Sequence, residues 1–259
     1  MRTNLGLTIL GMGLLGMLLV IITSEAYQQF ALDNQHDILY ERTRIKLDAT
    51  LEDAASDAIN MGLEIGSNPD FKQHISKDSK DILAKLLDQE FHRALVTLNR
   101  VRLTKIYTLD KEFIRITSSS EGHSDFSGNA VPCEDLIHKS SLRQGPTRLK
   151  PASSLCSVNN KPYIAAIPPI GGLRLQGYLL LIIDPVLNLI NAEQELGSPT
   201  RLSLPNGQQI AQSADWPQSP SDNMIFSEYK LHTPEGRAYL DVVFATGISE
   251  LLRKLANTR

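Results

Sequence analysis

The sequence lacks the features that identify most enzymes and nucleic-acid-binding proteins. In 259 residues it has one tryptophan, two cysteines and 6% aromatic residues, and its formal net charge is -3. Without an excess of basic residues, no face is predicted to bind a nucleic-acid backbone. The six histidines are scattered, and no P-loop, G-x-S-x-G or H-E-x-x-H motif is present. Adjacent carboxylates such as Glu52 and Asp53 point apart on a helix. We therefore predict no catalytic residue, no metal site and no cofactor.

Long runs without charge are also scarce, and only one reaches the length of a membrane span. It extends from Leu5 to Ile22 ("LGLTILGMGLLGMLLVII"), 18 residues that would form a helix of ~27 Å, close to the thickness of a bilayer core. Arg2 precedes it and Glu25 follows it, so the positive-inside rule places the N-terminus in the cytoplasm. The predicted topology is that of a single-pass inner-membrane protein, with a cytoplasmic tail at 1–4, a transmembrane helix at 5–23 and the bulk of the chain in the periplasm.

A cleaved signal peptide is the alternative for this run. Ser24 and Ala26 are small residues at the two positions that a signal peptidase reads. Against cleavage, the run is longer than a usual signal-peptide core, and the chain continues directly into a predicted helix. Both interpretations send the rest of the chain to the same extracytoplasmic compartment.

The two cysteines, Cys133 and Cys156, are 23 positions apart. In an oxidising compartment an isolated pair is usually a disulfide, and closing this loop would contribute about 3 kcal/mol by the loop-entropy estimate. Free thiols are the first alternative. A metal site with His123 and His138 is a weaker one, because the spacing of these residues is not that of metal ligands.

A long helix is predicted at 24–66, directly after the apolar run. Its apolar positions step by three and four residues, which is typical of one buried helix face. The stripe consists of Leu47, Leu51, Ala54, Ala58, Met61 and Ile65, and a weaker stripe with Tyr27, Phe30, Ile38 and Ile45 precedes it. The helix could be a stalk, a seam between two copies of the chain, or a helix that packs only on its own domain. Gly66 and Pro69 are expected to end it.

The remainder reads as strands and helices in mixed order, so we predict an α+β fold. The first element after the long helix is a second helical segment, whose predicted buried side consists of Ile82, Leu83, Leu86, Leu87, Phe91 and Leu95. A hairpin at 103–117, an excursion at 118–160 with a short helix, and two strands at 162–184 are expected next. They are followed by a helix at 185–196, hairpins at 201–211 and 224–246, and a C-terminal helix at 248–259. The predicted modules are a membrane-distal one at 67–190 and a smaller membrane-proximal one at 191–259.

The stretch 162–184 ("PYIAAIPPIGGLRLQGYLLLIID") is the most apolar one after the N-terminus, but it cannot be a membrane helix. Pro168-Pro169 and Gly171-Gly172 interrupt it and leave pieces too short to span a bilayer. Two strands joined by a Gly-Gly turn fit better. The second strand is apolar on both faces, so we expect it to be central in its sheet.

This layout resembles the double-Cache sensor domains of bacterial transmembrane receptors. The resemblance covers most of the chain beyond residue 25 and depends on the order of weak motifs: an apolar anchor leading into a long helix, "NPDF" before an amphipathic helix, "KIYTLDKEFIRITSS", "YIAAIPPI" with "LQGYLLLIID", and "LSLPNGQQIAQS". Lys111-Glu112 stands where the family commonly has a glycine. The resemblance implies a PAS-like antiparallel sheet with a ligand pocket, a homodimer through the N-terminal helices, and a kinase, chemotaxis or cyclic-dinucleotide output, of which this sequence has none. The chain would be a fragment of a receptor or would signal by pairing with another protein.

Four residues are candidate contacts for a small-molecule ligand: Tyr107, Arg115, Tyr163 and Asp184. Arg115 would clamp a carboxylate, the tyrosine hydroxyls would orient it, and Asp184 could accept from an ammonium. Each also has a structural interpretation: the tyrosines as half-buried sheet residues, Arg115 as a surface residue, and Asp184 as the cap of the helix after Pro185. The amino-acid-binding motif of the family is not found.

The sequence is compatible with three functions. The first is the extracytoplasmic sensory domain of a membrane-anchored receptor, which binds a small ligand and passes the signal through its helices. The second is a membrane-anchored periplasmic protein–protein interaction module without a small-molecule ligand. The third, an enzyme of the envelope, is disfavoured because no catalytic constellation is present.

Overall fold

The computed structural model describes the backbone of residues 2–75, 79–97, 101–120, 126, 131–172, 174–219 and 224–247. Within the helices, the side chains of 2–11, 14–15, 28–29, 31–33, 35–36, 95–97 and 192–196 lie outside the described set. The predicted C-terminal helix at 248–259 lies outside it as well. Among the described residues, no helix combines the length and the apolar character that are needed to cross a membrane.

Helix α1 (Arg2–Ser67) is continuous over 66 residues. The predicted stripe from Leu47 to Ile65 is buried in the core of the chain itself, so this part of α1 packs on its own domain. Tyr27, Phe30 and the other members of the weaker stripe are exposed. The helix ends one residue after Gly66, and Pro69 begins the next helix, where its missing N–H removes no hydrogen bond.

The predicted second helical segment consists of two helices, α2 (Pro69–Ile75) and α3 (Lys80–Thr97). The Asn68 side chain accepts a hydrogen bond from the backbone N–H of Asp70 at 3.0 Å and caps α2. Leu83, Leu87 and Phe91 are buried as expected. The expectation for Ile82 is wrong: this side chain is 48% exposed, because the buried stripe of α3 runs through Leu83 and Leu87 instead.

The larger sheet is antiparallel and has the strand order β2-β1-β6-β4-β3, with β5 paired to β6. Its strands are β1 (Arg102–Leu109), β2 (Arg115–Ser120), β3 (Ala152–Val158), β4 (Lys161–Ile167), β5 (Pro169–Ile170) and β6 (Gly177–Asp184). Strand β6 lies in the middle and seven of its eight residues are buried, so the predicted central position is confirmed. Ile114, which the hairpin pattern placed in a strand, precedes β2 and is exposed.

The predicted excursion at 118–160 is partly wrong, because Ser118–Ser120 belong to β2 and β3 lies within the range. Between these strands are α4 (Glu134–Ser141), where a short helix was expected, and a 3-10 helix (Gly145–Leu149). We call residues 126 and 131–149 the cap. Cys133, just before α4, forms a disulfide with Cys156 of β3, with 5.6 Å between the Cα atoms. The disulfide therefore ties the cap to the edge of the larger sheet.

Helix α5 (Val186–Leu196) leads into the smaller sheet and spans the predicted module boundary near residue 190. This second sheet is antiparallel with the order β8-β7-β10-β9. Its strands are β7 (Thr200–Ser203), β8 (Gln209–Gln212), β9 (Met224–His232) and β10 (Ala238–Gly247). Both predicted hairpins are present, and Gly207 adopts a φ of 84° in the turn between β7 and β8, a value that glycine reaches without strain.

The cap also contacts the smaller sheet through charged side chains. Lys139 of α4 donates a hydrogen bond to Glu235 at 2.5 Å, and Arg237 pairs with Asp135 of α4. Glu235 lies in the turn between β9 and β10, and Arg237 directly precedes β10. The hydrogen bond from Lys139 holds the pKa of Glu235 below its usual value. A disulfide directly before its first residue and ion pairs along its length thus hold α4 between the two sheets.

Candidate functional site

The candidate site lies on the face of the larger sheet that is covered by the cap, which we call the cap face. Because side chains alternate along a strand, Leu179, Leu181 and Ile183 of β6 pack against the helices, whereas Tyr178, Leu180 and Ile182 pack toward the cap. We call the opposite side, which packs against α1, α2 and α3, the helix face. The sheet thus separates two apolar cores.

Lys105 of β1 is the buried charged residue on the cap face. Its side chain is only 6% exposed, and its Nζ donates a hydrogen bond to the carbonyl oxygen of Phe126 at 3.2 Å. The same Nζ lies 5.1 Å from the ring centroid of Tyr107 and 5.7 Å from that of Phe126. Burial, and secondarily the positive charge of Arg115, lower the pKa of Lys105. Among the described residues, no carboxylate forms an ion pair with this ammonium group.

Arg115 and Tyr107 are brought together next to Lys105. Arg115 Cζ lies 5.5 Å from the Tyr107 ring centroid, and its guanidinium donates to the Ser118 hydroxyl at 2.9 Å. Tyr107 is 1% exposed, and burial raises the pKa of its hydroxyl to about 12. The pairing of β1 and β2 shifts register between Thr108 and Leu109, and beyond this shift Arg115 pairs with Leu109, a cap-face residue. Two cations therefore flank one aromatic ring.

Tyr163 of β4 belongs to the same buried cluster. It is 4% exposed, and its ring centroid lies 5.0 Å from that of Phe126, the residue whose carbonyl holds Lys105. Three of the four candidate residues from the sequence thus lie on the cap face around Phe126. The expectation that the two tyrosines are half-buried is wrong, because both side chains are almost completely buried.

Asp184 lies apart from this cluster, at the end of β6. Its Oδ1 accepts a hydrogen bond from the backbone N–H of Val186 at 3.0 Å, which caps α5. Its Oδ2 lies 3.8 Å from the guanidinium of Arg102, the residue paired with Asp184 across the sheet. Asp184 therefore makes the contact expected of a residue that caps the helix after Pro185.

Lys105 was missed from the sequence, although a signal for it was present. In the run "LTKIYTL" it is two positions before Tyr107, so any sheet that buries the tyrosine ring also directs the lysine to the same side. A single lysine in a strand is usually assigned to a solvated face. That assignment fails here because both faces of the sheet are covered.

A cavity of about 420 Å³ lies beside this cluster, between the cap, β3 and the turn after β9. Phe126, Leu136 and Cys156 form part of its apolar wall, and Glu134, Asp135 and Arg237 form part of its polar wall. Phe126 is shared: its ring borders the cavity and its carbonyl oxygen holds Lys105. The buried ammonium group of Lys105 is therefore in contact with one wall of the cavity.

The arrangement suits non-covalent binding of a small molecule. Two cationic side chains can hold an anionic group, and the rings of Tyr107, Phe126 and Tyr163 can cover an apolar body. Among the described residues, no group of three or more histidine, cysteine or acidic side chains could hold a metal ion. The Tyr178 hydroxyl is also buried on this face, and within the described part of the chain it makes no hydrogen bond.

Comparisons with known proteins find similarity at the level of structure. No family model and no curated protein sequence match the chain. The structure is similar to the periplasmic domain of Vibrio cholerae LuxQ, at 12% identity and a TM-score of 0.49, covering 82% of this chain and 97% of that one. It is also similar to the V. cholerae histidine kinase DctB sensor domain, at 13% identity and a TM-score of 0.47, covering 83% and 98%.

A third similar structure is the ligand-binding domain of the Campylobacter jejuni chemoreceptor Tlp3 in complex with L-norvaline. Identity is 12% and the TM-score 0.45, with 86% of this chain and 93% of that one covered. The names of these structures describe a periplasmic domain, a sensor domain and a ligand-binding domain.

Proposed function

We propose that this chain is the extracytoplasmic sensory domain of a membrane-anchored bacterial receptor that binds a small molecule between the cap and the larger sheet. The observation that carries the proposal is the convergence of Lys105, Tyr107, Arg115 and Tyr163 on one covered face. A sheet built only for stability would have an apolar interior there, because burying a lysine costs free energy unless it is compensated. No catalytic step is part of the proposal.

Anchoring by the N-terminal segment is the second part of the proposal. The apolar run Leu5–Ile22 has the length of a bilayer core. Six consecutive side chains at its end, from Met17 to Ile22, are exposed in the isolated chain, each at least half accessible. A bilayer would cover such a surface. α1 then continues without a break from this segment to the core of the larger module, so a displacement at the sheet can reach the membrane.

Pairing of two copies along α1 is the third part. Ile38 and Ile45 are 53% and 59% exposed and one heptad apart, which is the spacing of a coiled-coil seam. Tyr27 and Phe30 extend the exposed apolar positions toward the membrane. Tyr40 lies on a different side of the helix, where its ring contacts Tyr229 of β9 with centroids 6.1 Å apart.

A thermal-shift screen of the full chain in mild detergent, against a library of anionic, neutral and cationic metabolites, tests the sensory proposal. We expect at least one small molecule to raise the melting temperature, because a ligand that binds only the folded state stabilises it. Alkaline phosphatase fused after residue 150 should be active, since the enzyme folds only outside the cytoplasm. A cytoplasmic location of residue 150 would refute the topology. A library without any stabilising compound would favour a protein–protein interaction module.

A further inference from the structure

We propose that an extended segment of a partner protein binds in a groove between α1, β3 and β9, where it adds a strand to the outer edge of β9. The groove has a volume of about 640 Å³. It is distinct from the cavity beside the cap, although Ser154 and Leu155 border both spaces. The proposal concerns a second site and does not rest on the binding of a small molecule at the cap face.

The lining residues show that the groove follows strand edges and does not lie on one face of a sheet. Because side chains alternate along a strand, a groove on one face is lined by every second residue. Here four consecutive residues of β9, 229–232, and three consecutive residues of β3, 153–155, line the groove. The groove therefore borders the backbone edges of both strands.

Both strands are the last members of their sheets. Among the described residues, β3 pairs only with β4 and β9 pairs only with β10. Strand β9 has nine residues, which is longer than an average strand, so its outer edge offers a long row of backbone N–H and C=O groups. An extended peptide pairs with such an edge through main-chain hydrogen bonds, and pockets for alternate side chains provide the specificity.

The floor of the groove favours apolar side chains at alternate positions of the occupant. It consists of Leu51, Ala55, Ile59, Leu155, Ile164 and Leu231. On the α1 side the lining extends from Asp48 to Ile59, ~16 Å along the helix axis, which is the length of about five residues of an extended chain. A peptide of this length directs every second side chain toward the floor and the others toward solvent.

The charges on the rim favour a basic residue in the occupant. On the α1 side, Asp48 lies 3.9 Å from the guanidinium of Arg44, whereas Glu52 makes no hydrogen bond or ion pair within the described part of the chain. On the opposite rim, Lys230 pairs with Glu228 at 3.4 Å. The carboxylate of Glu52 can therefore form a new ion pair, and a lysine or arginine of the partner segment is expected to face it.

Selection from a phage-displayed library of random octapeptides, with the full chain in mild detergent as the target, tests the proposal. Ser56→Trp should block the groove, because Ser56 is an exposed residue of α1 that lines it. Asn60→Trp is the matched control, since Asn60 is exposed on the same helix outside the lining. We expect peptides that bind the wild type and Asn60→Trp but not Ser56→Trp, with alternating apolar residues and a lysine or arginine. A selection that yields no such peptide would overturn the proposal.

Synthetic versions of the enriched peptide test whether its backbone pairs with a strand. N-methylation of every second amide removes the N–H donors on one edge of the peptide and keeps every side chain. In at least one of the two registers, this change should weaken the affinity by about tenfold or more, as measured by calorimetry. Equal affinities of the unmodified peptide and of both N-methylated forms would show that the backbone is not paired, and strand addition would be overturned.

Glu52→Gln tests the charge of the rim. An exposed ion pair contributes little, so this variant should weaken binding of the enriched peptide by about two- to fivefold. Asp53→Asn is the matched control, because Asp53 is the neighbouring exposed carboxylate of α1 and does not line the groove. Both positions are exposed, so both variants should retain the melting temperature of the wild type. Equal affinities of the two variants would overturn the assignment of a basic residue to the partner.

Other occupants of the groove would give different results. Enriched peptides whose apolar residues are three and four positions apart would indicate a helix in the groove. A change from dimer to monomer in Ser56→Trp, measured by light scattering and without any enriched peptide, would indicate a second copy of the chain. Either result would overturn the proposal. If Ser56→Trp melts below the wild type, the N-methylated peptides on the wild-type protein decide the question.

Discussion

The two faces of the larger sheet are built from the same strands but differ in chemistry. On the helix face, Ile106, Leu181 and Ile183 pack against the apolar stripe of α1. On the cap face, the residues next to them in sequence include Lys105, Tyr107 and Ile182. The helix face is closed by a long helix, whereas the cap face is closed by short segments, a disulfide and surface ion pairs.

This difference separates stability from recognition. A continuous helix over mostly aliphatic side chains buries apolar area efficiently. A cap attached by a disulfide and a few ion pairs encloses a cluster that contains charged and aromatic side chains. Substitutions on the helix face should therefore affect folding, and substitutions on the cap face should affect binding.

The largest effect is expected for Leu181→Ala on the helix face. Leu181 is completely buried, and removing its side chain should lower the free energy of unfolding by about 2–5 kcal/mol. Urea unfolding followed by circular dichroism measures this. The folded fraction should still bind the small molecule that the thermal-shift screen identifies. The control is Ile114→Ala, because Ile114 is 64% exposed and its loss should change stability by about 0.5 kcal/mol or less. A changed ligand preference in Leu181→Ala would contradict the division between the faces.

Opening the disulfide should have the next largest effect. The double substitution Cys133→Ala and Cys156→Ala removes a cross-link between residues 23 positions apart. The loop-entropy estimate gives a loss of about 3 kcal/mol, and the protein with a released cap should bind the small molecule from the thermal-shift screen more weakly. Urea unfolding with and without dithiothreitol measures the change. The reductant should lower the stability of the wild type and have no effect on the double variant. Equal sensitivity of both proteins would exclude the disulfide as the cause.

Gly62→Ala probes how closely α1 approaches the sheet on the helix face. A methyl group there would overlap the ring of Pro168 and lie 2.7 Å from Leu181 Cδ1. Overpacking costs about 1–3 kcal/mol and is offset in part by about 1 kcal/mol of helix propensity, so a net loss of up to about 2 kcal/mol is expected. In the same helix Gly16 has open space around its Cα, so Gly16→Ala serves as the control. An equal thermal shift for both variants would mean that the contact is looser than described.

The ion pairs between the cap and the smaller sheet should contribute least. Both partners of the Lys139–Glu235 pair are partly solvated, so a double-mutant cycle of Lys139→Met and Glu235→Gln should give a coupling of about 0.2–1 kcal/mol. Because Lys139 lowers the pKa of the folded-state Glu235, the coupling is fully present above the unfolded value of 4.5 and disappears as the pH falls through the folded value. The Lys230–Glu228 pair within β9 is the control. A coupling that persists in strong acid would rule out this ion pair as its source.

Much of the helix face could be predicted from the sequence, because it follows simple periods. The stripe from Leu47 to Ile65 repeats every three or four residues, and the apolar run of β6 indicates a strand covered on both faces. Strand β3 was not predicted, since "ASSLCSV" contains three serines and alternates only weakly. Its place at the sheet edge is set by pairing with β4, a contact that local sequence does not reveal.

The candidate site was only partly predictable for a related reason. Tyr107, Arg115 and Tyr163 were identifiable because they are large polar residues in strands. The position of Arg115 beside Tyr107 depends on a register shift between β1 and β2. The position of Tyr163 in the cluster depends on Phe126, which belongs to the cap and not to either strand of the cluster. The burial of Lys105 depends on the cap above it. None of these features has a local sequence signal.

Methyl NMR of the full chain labelled at isoleucine tests most directly which face binds the ligand. Ile167 and Ile182 lie on the cap face, Ile106 and Ile183 lie on the helix face, and Ile59 lines a separate groove of about 640 Å³ between α1 and β9. Titration with the small molecule that stabilises the protein most should shift the Ile167 and Ile182 methyl signals and leave those of Ile106 and Ile183 in place. Shifts that begin at Ile59 or on the helix face, with the cap-face methyls unchanged, would contradict the account.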